Sequence, residues 1–262
     1  MRYFVVDAFT NAPFAGNPAG VCLISSWPEN DLMQKIALEN SLPETAFIRK
    51  GPKGWEIRWF TPSFEMDLCG HATLASGFVI LNILEPEGQF VEFSSQSGPL
   101  EVKRVGERLA LDFPSRPPVE TDIHPKLEEC LGVKVLSCNL ARDLVVRVES
   151  EEAVRAMSPD FAMMADIARK IGCMGIIPTA EGEQCDFVSR FFDPLDAIIE
   201  DPVTGSAHCS LIPFWAAKLG KTELVARQLS RRQGTLYCRD LGERVEIAGD
   251  AILYLEGELK PF

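Results

Sequence analysis

Asp67-Leu68-Cys69-Gly70-His71-Ala72-Thr73 and Glu200-Asp201-Pro202-Val203-Thr204-Gly205-Ser206-Ala207-His208 each set small and polar residues directly before an apolar, helix-like run. A glycine beside a small residue at a helix start leaves backbone N–H groups and the positive end of the helix dipole facing outward, where an anion can be held. The device is spelled twice, and its surroundings repeat with it. Trp59-Phe60-Thr61-Pro62 precedes the first segment and Phe191-Phe192-Asp193-Pro194 the second. Ser94-Ser95-Gln96-Ser97-Gly98-Pro99-Leu100 and Ser230-Arg231-Arg232-Gln233-Gly234-Thr235-Leu236 follow them. The chain reads as two duplicated halves.

Outward from these segments, strand-like stretches rich in β-branched and aromatic residues recur, among them 3–9, 45–49, 55–60, 144–148 and 252–256. Helical periodicity is clearest at 28–40, 71–84, 124–131, 160–171 and 206–219, so few long helices serve many strands. Pro213 lies inside the last of these and is expected to kink or split it, and Gly220 suits the position just past its end. The proline-rich Phe113-Pro114-Ser115-Arg116-Pro117-Pro118 reads as an extended crossing. It divides the chain into expected domains 1–117 and 118–262, with the last strand free to pack on the first half.

The 262 residues, 46% hydrophobic and 24% charged, have the composition of an ordinary globular protein with a substantial core. A net charge of −12 opposes binding to nucleic acid or an anionic membrane, so an anionic substrate must be met by local dipoles. Residues 1–9 read as a strand rather than a signal peptide, and no apolar run approaches the roughly 20 residues that span a bilayer. A cytoplasmic location is expected. The eight scattered cysteines read as reduced, buried thiols.

Asn40-Ser41-Leu42-Pro43-Glu44-Thr45-Ala46-Phe47, Cys69-Gly70-His71-Ala72-Thr73 and Glu200 to Ala207, in that order with Asp7-Ala8-Phe9 and Gly16-Asn17-Pro18-Ala19-Gly20 ahead, resemble the phenazine-biosynthesis PhzF-like isomerase family across nearly the whole chain. The resemblance implies an α+β fold like that of diaminopimelate epimerase: two pseudo-symmetric halves, each a mixed, mostly antiparallel sheet around a central helix, with the site in the cleft between them. It also implies a homodimer and a reaction without a cofactor.

In such a family the glutamate corresponding to Glu44 moves a proton. Shifting a double bond in a carboxylated ring removes a C–H proton at one carbon and returns one at another, and a carboxyl poised between its two forms can do both. Glu44 is therefore expected to be partly buried, with desolvation raising its pKa. His71 and Asp201 match positions that surround the substrate, as hydrogen-bonding or proton-transfer groups. Gly70 and Ser206 stand at the two helix starts that would hold a substrate carboxylate, Thr73 and Gly205 shape those turns, and Asn17 lies beside the cleft, where the resemblance implies contact with substrate. Read without the motif, Glu44 is a surface residue opening a strand, His71 a helix cap and Asp201 a turn residue before Pro202.

Two rival readings remain on the same scaffold. Cys69, at a helix start that lowers a thiol pKa, could serve a racemase, epimerase or dehydratase as its single thiol. The second thiol of a two-thiol racemase is missing, because Asp201-Pro202-Val203-Thr204-Gly205 stands where it would be and Cys209 comes too late. Alternatively, the protein binds small carboxylates without turnover. A Cys2His2 metal site from Cys69, His71, His208 and Cys209 is disfavoured, since neighbouring residues on a helix point to different sides. Arg231 and Arg232 either add positive charge near the cleft or sit on a solvated hairpin. The expected partner is a small amino- or hydroxyl-bearing carboxylate.

Overall fold

Arg2–Ala8 forms strand β1, and residues 3–8 are all buried because the strand has a partner on each edge and packing on both faces. One antiparallel partner is β2, Asn17–Leu23, and the other is the last strand of the chain, Ala251–Glu258. The computed structural model describes residues 1–196 and 198–260. They fall into two units, one built from Met1–Asp112 with the chain from Ala248 on, the other from Phe113–Ile247.

In the first unit, helix α1 (Asn30–Asn40) ends at Ser41 in the left-handed conformation and leads into β3 (Glu44–Gly51), which runs parallel to β2. β4 (Gly54–Phe60) pairs antiparallel to β3, and the short β5 (Glu65–Met66) returns along β4. Helix α2 (Gly70–Val79) follows, with nine of its residues buried. A helix apolar on all sides must be enclosed. α2 packs on β1, β2, β3 and β7 (Gly98–Val105). Gly77 permits the approach to β7, since a Cβ there would stand 2.6 Å from Val102. The helix runs on through one π-helical turn, Ile80–Leu84, whose Leu81 carbonyl accepts a 2.6 Å hydrogen bond from Arg104. β6 (Phe90–Ser95), β7 and β8 (Arg108–Pro114) complete the unit as an antiparallel meander.

The second unit begins with β9 (Val119–Thr121), α3 (Leu127–Leu131), β10 (Val135–Leu140) and β11 (Leu144–Val148). Two helices follow, α4 (Glu151–Ala156) and α5 (Phe161–Ile171), capped by the side chains of Ser150 and Asp160. The sheet continues through β12 (Ile176–Glu181), β13 (Phe187–Ser189), β14 (Phe191–Phe192) and β15 (Glu200–Asp201). After helix α6 (His208–Leu219) come β16 (Glu223–Gln228), β17 (Gly234–Asp240) and β18 (Arg244–Gly249). β11 with β12 and β13 with β16 are parallel, whereas β9–β10, β10–β11, β12–β13 and β16–β17 are antiparallel. α6 is the buried helix of this unit. Its Trp215 stacks on Phe187 at 5.7 Å and donates to Thr179.

Each unit is thus a mixed, mostly antiparallel sheet with one enclosed helix, the α+β architecture expected. Three local readings need correction. Pro213 does not split α6: the Cys209 carbonyl that its ring leaves unbonded accepts the Arg116 backbone N–H at 2.9 Å instead. α6 starts at His208 rather than Ser206, because Gly205–Ala207 form a tight turn in which His208 and Cys209 donate three residues back. The helix expected over 124–131 is confined to Leu127–Leu131. Among the described residues no helix is long and apolar enough to cross a membrane. All eight cysteines are free thiols, seven of them buried.

Candidate active site

Three element starts in the first unit converge. Asn17 opens β2, Glu44 opens β3 beside Ala19, and His71 is the second residue of α2. His71 is 4% exposed and its Nε2 lies 3.1 Å from Glu44 Oε2, an approach too oblique for a regular hydrogen bond. The Glu44 side chain keeps 15% of its surface open, so it is mostly buried yet reachable. On the other edge of the ring, Nδ1 is 3.1 Å from Asn17 Nδ2 and 3.6 Å from Cys69 Sγ. An amide nitrogen only donates, so in the neutral ring, with the Asn17 amide oriented this way, Nδ1 accepts and Nε2 carries the proton, toward Glu44.

The charges here oppose burial. Desolvation alone would lower the His71 pKa, but the neighbouring Cys69 sulfur and Glu44 carboxylate outweigh it and hold the imidazole well above the ordinary histidine value. Burial, reinforced by Glu44, pushes the Cys69 thiol up despite its place at the helix start, and His71 acts in the opposite direction. Thr73 is fully buried and its hydroxyl donates to the Cys69 carbonyl, which shapes the first turn of α2. Asn17 is fully buried as well, and its amide nitrogen meets His71 Nδ1. Gly70 is the first residue of α2, where the N–H groups have no carbonyl within the helix to bond.

Glu44, Cys69 and His71 offer donor atoms within 4.8 Å of one another. The thiol meets Nδ1 and the carboxylate meets Nε2, on opposite edges of one ring.

The second unit carries its own polar set. Asp201 ends β15, which Arg190 fixes by pairing with Glu200 at 2.7 Å and by donating to the carbonyls of Val154 and Met157. The Asp201 carboxylate accepts the Thr204 hydroxyl. Gln228, fully buried, accepts from the Thr204 N–H at 2.9 Å and donates to the Asp201 carbonyl at 2.8 Å, while Ser230 donates to the Pro202 carbonyl. Gly205 and Ser206 lie in the turn before α6, and Ser206 Oγ accepts from Arg142 at 3.1 Å. Glu44, His71, Asn17, Gly70 and Thr73 therefore gather in the first unit, and Asp201, Gly205 and Ser206 in the second.

Sequence reasoning missed Gln228, Arg142 and Asp143. Ser230 was visible in the repeated Ser-x-x-x-Gly segment. Gln228 ends an alternating strand, and its only mark was polarity at a position facing the core. Nothing in the sequence set Arg142 and Asp143 apart.

Comparison with known proteins bears on the family and the fold. A protein from Pseudomonas aeruginosa named as an uncharacterized isomerase is 50% identical over 261 residues, covering 99% of this chain and 98% of that one. The crystal structure of a PhzF-family phenazine biosynthesis protein from Enterococcus faecalis superposes with a TM-score of 0.96 at 44% identity, covering 99% of both chains. A hydroxyproline epimerase from Agrobacterium vitis shares the fold alone, with a TM-score of 0.64 at 10% identity over 98% of this chain and 91% of that one. The family model for phenazine biosynthesis-like proteins matches residues 6–257, and the chain belongs to that PhzC-PhzF family.

Proposed function

We propose that this isomerase moves a proton, and with it a double bond, in a small carboxylated metabolite, with Glu44 as general acid and base. The observation that carries the reading is the mostly buried Glu44 carboxylate facing His71 Nε2 at 3.1 Å. Glu44 takes the C–H proton, the electron pair shifts along the conjugated system, and the protonated carboxyl returns a proton to a second carbon. The reaction is redox-neutral and gains or loses no group, so a proton carrier is the only reagent it requires. His71, whose Nε2 edge faces Glu44 at 3.1 Å, holds the carboxylate electrostatically between the two transfers. By their match to the family motifs, Asp201 is assigned with His71 to the reacting edge of the substrate, and Asn17, Gly70, Thr73, Gly205 and Ser206 to substrate binding.

Incubating the wild type and Glu44→Gln in D2O with unsaturated amino- and hydroxy-carboxylic acids, followed by NMR, tests this. The expected result is double-bond migration with deuterium at the new C–H position, slowed by about 10²–10⁴-fold in Glu44→Gln. Cys69→Ala should leave it intact, since burial and Glu44 push that thiol's pKa up, away from ready proton transfer. Deuteration that survives Glu44→Gln and disappears in Cys69→Ala would move the assignment to the thiol.

A further inference from the structure

Arg142 stands just before β11 with its guanidinium locked from one side. Its Nε lies 3.3 and 3.1 Å from the two Asp143 oxygens and its Nη2 lies 2.9 Å from Oδ2. The Asp143 side chain is only 2% exposed, and its Oδ1 also accepts the Gly175 N–H at 3.1 Å. Gly175 has to be bare for this approach, since a Cβ there would stand 2.5 Å from the Phe191 ring and 3.2 Å from Asp143 Oδ1. Burying a carboxylate is costly, and it is offset here by a two-pronged arginine pair and a backbone donor.

What this arrangement presents is an arginine fork with donors to spare. Nη2 donates to Ser206 Oγ at 3.1 Å, Nη1 has no partner among the described residues, and 30% of the side chain is open. Arg116, anchored by its backbone N–H on the Cys209 carbonyl, adds a guanidinium with no ion pair among the described residues. Both cations act on the Cys209 thiol, which burial nevertheless holds up at about 11. Asp143 balances the Arg142 charge, so what Arg142 offers beside the Ser206 turn is its unused donors. A planar guanidinium matches a carboxylate bidentately where a helix dipole offers only orientation.

We propose that Arg142, positioned by Asp143, makes the Ser206 turn select an anionic carboxylate over its uncharged isostere. This rests on the assignment of Ser206 to substrate binding. Asp143 is a positioning residue, and Arg142 is the one that meets the ligand.

The test is NMR-detected binding of benzoate and anthranilate, against benzamide and 2-aminobenzamide, to the wild type, Arg142→Met, Arg142→Lys and Glu44→Gln. The wild type is expected to prefer each carboxylate to its amide, with shifts at Ser206 and Gly205. Arg142→Met should lose at least tenfold in carboxylate affinity with the amides unchanged, a split that a purely structural role would not produce. Should Arg142→Met fail to fold, Arg142→Lys decides, because it keeps the charge and loses the fork, and a several-fold loss for carboxylates alone is expected. Glu44→Gln should keep the preference while losing isomerisation, so failure of the proton-transfer reading is seen separately. No carboxylate binding in the wild type, equal binding of acid and amide, or a parallel loss of both in the variants would overturn the proposal.

Discussion

His71 Nδ1 faces an amide, and an amide can be turned. In the neutral ring the Asn17 nitrogen donates to Nδ1, as in the structure, whereas the imidazolium has a proton on both nitrogens and needs an oxygen there. Asn17→Asp should therefore raise the His71 titration further, since a carboxylate favours the Nδ1 proton, and Asn17→Leu should lower it. NMR titration of the His71 ring carbons checks both directions, and identical curves in the three proteins would remove Asn17 from any role in the ring's charge. At this scale the motif residues were legible because glycine, proline and histidine in fixed spacing have few alternative readings. The contact between Asn17 and His71 was not legible, because it depends on the β2 pairing that only the fold supplies.

At the scale of elements, α6 starts on a residue whose charge is forbidden. His208 is fully buried, and desolvation lowers its pKa to about 4 although its Nδ1 bonds the Thr204 carbonyl. A histidine depressed on folding contributes stability that is present above its unfolded pKa of about 6.5 and is lost as pH falls toward the folded value. Across that window the loss is about 3 kcal/mol at roughly 1.4 kcal/mol per pH unit. Urea unfolding at pH 7 and pH 4.5 should show a steeper decline in the wild type than in His208→Gln, and parallel declines would contradict it. α2 offers a packing test: Gly77→Ala drives a methyl into Val102 and should cost about 1–3 kcal/mol in unfolding free energy. Long periodic helices and most strands were legible in the sequence. α4, with six residues, was too short to show a period, and the turn at Ile80–Leu84 is π-helical although its sequence continues the pattern of α2.

At the scale of the whole molecule, the first unit is assembled from distant parts of the chain. β1 pairs with Ala251–Glu258 from Arg2↔Glu258 to Ala8↔Ala251, with a bulge between Val5 and Val6. Truncation after Asp250 removes one of the two partners of β1 and should lower the melting temperature of the first unit far more than that of the continuous 113–247 segment. Hydrogen exchange resolved by segment would show the difference, and uniform protection in the truncated chain would refute it. The duplication was legible because the same turn chemistry recurs in both halves, but nothing in the composition of residues 252–256 says which sheet they join. That pairing also sets an order in time. As the chain leaves the ribosome, residues 113–247 hold every strand of their own sheet between β9 and β17 before synthesis ends, while β1 waits for a partner made some 250 residues later. β1 is thus made long before the strand that completes it, and during that interval its open edge is a template for unwanted pairing.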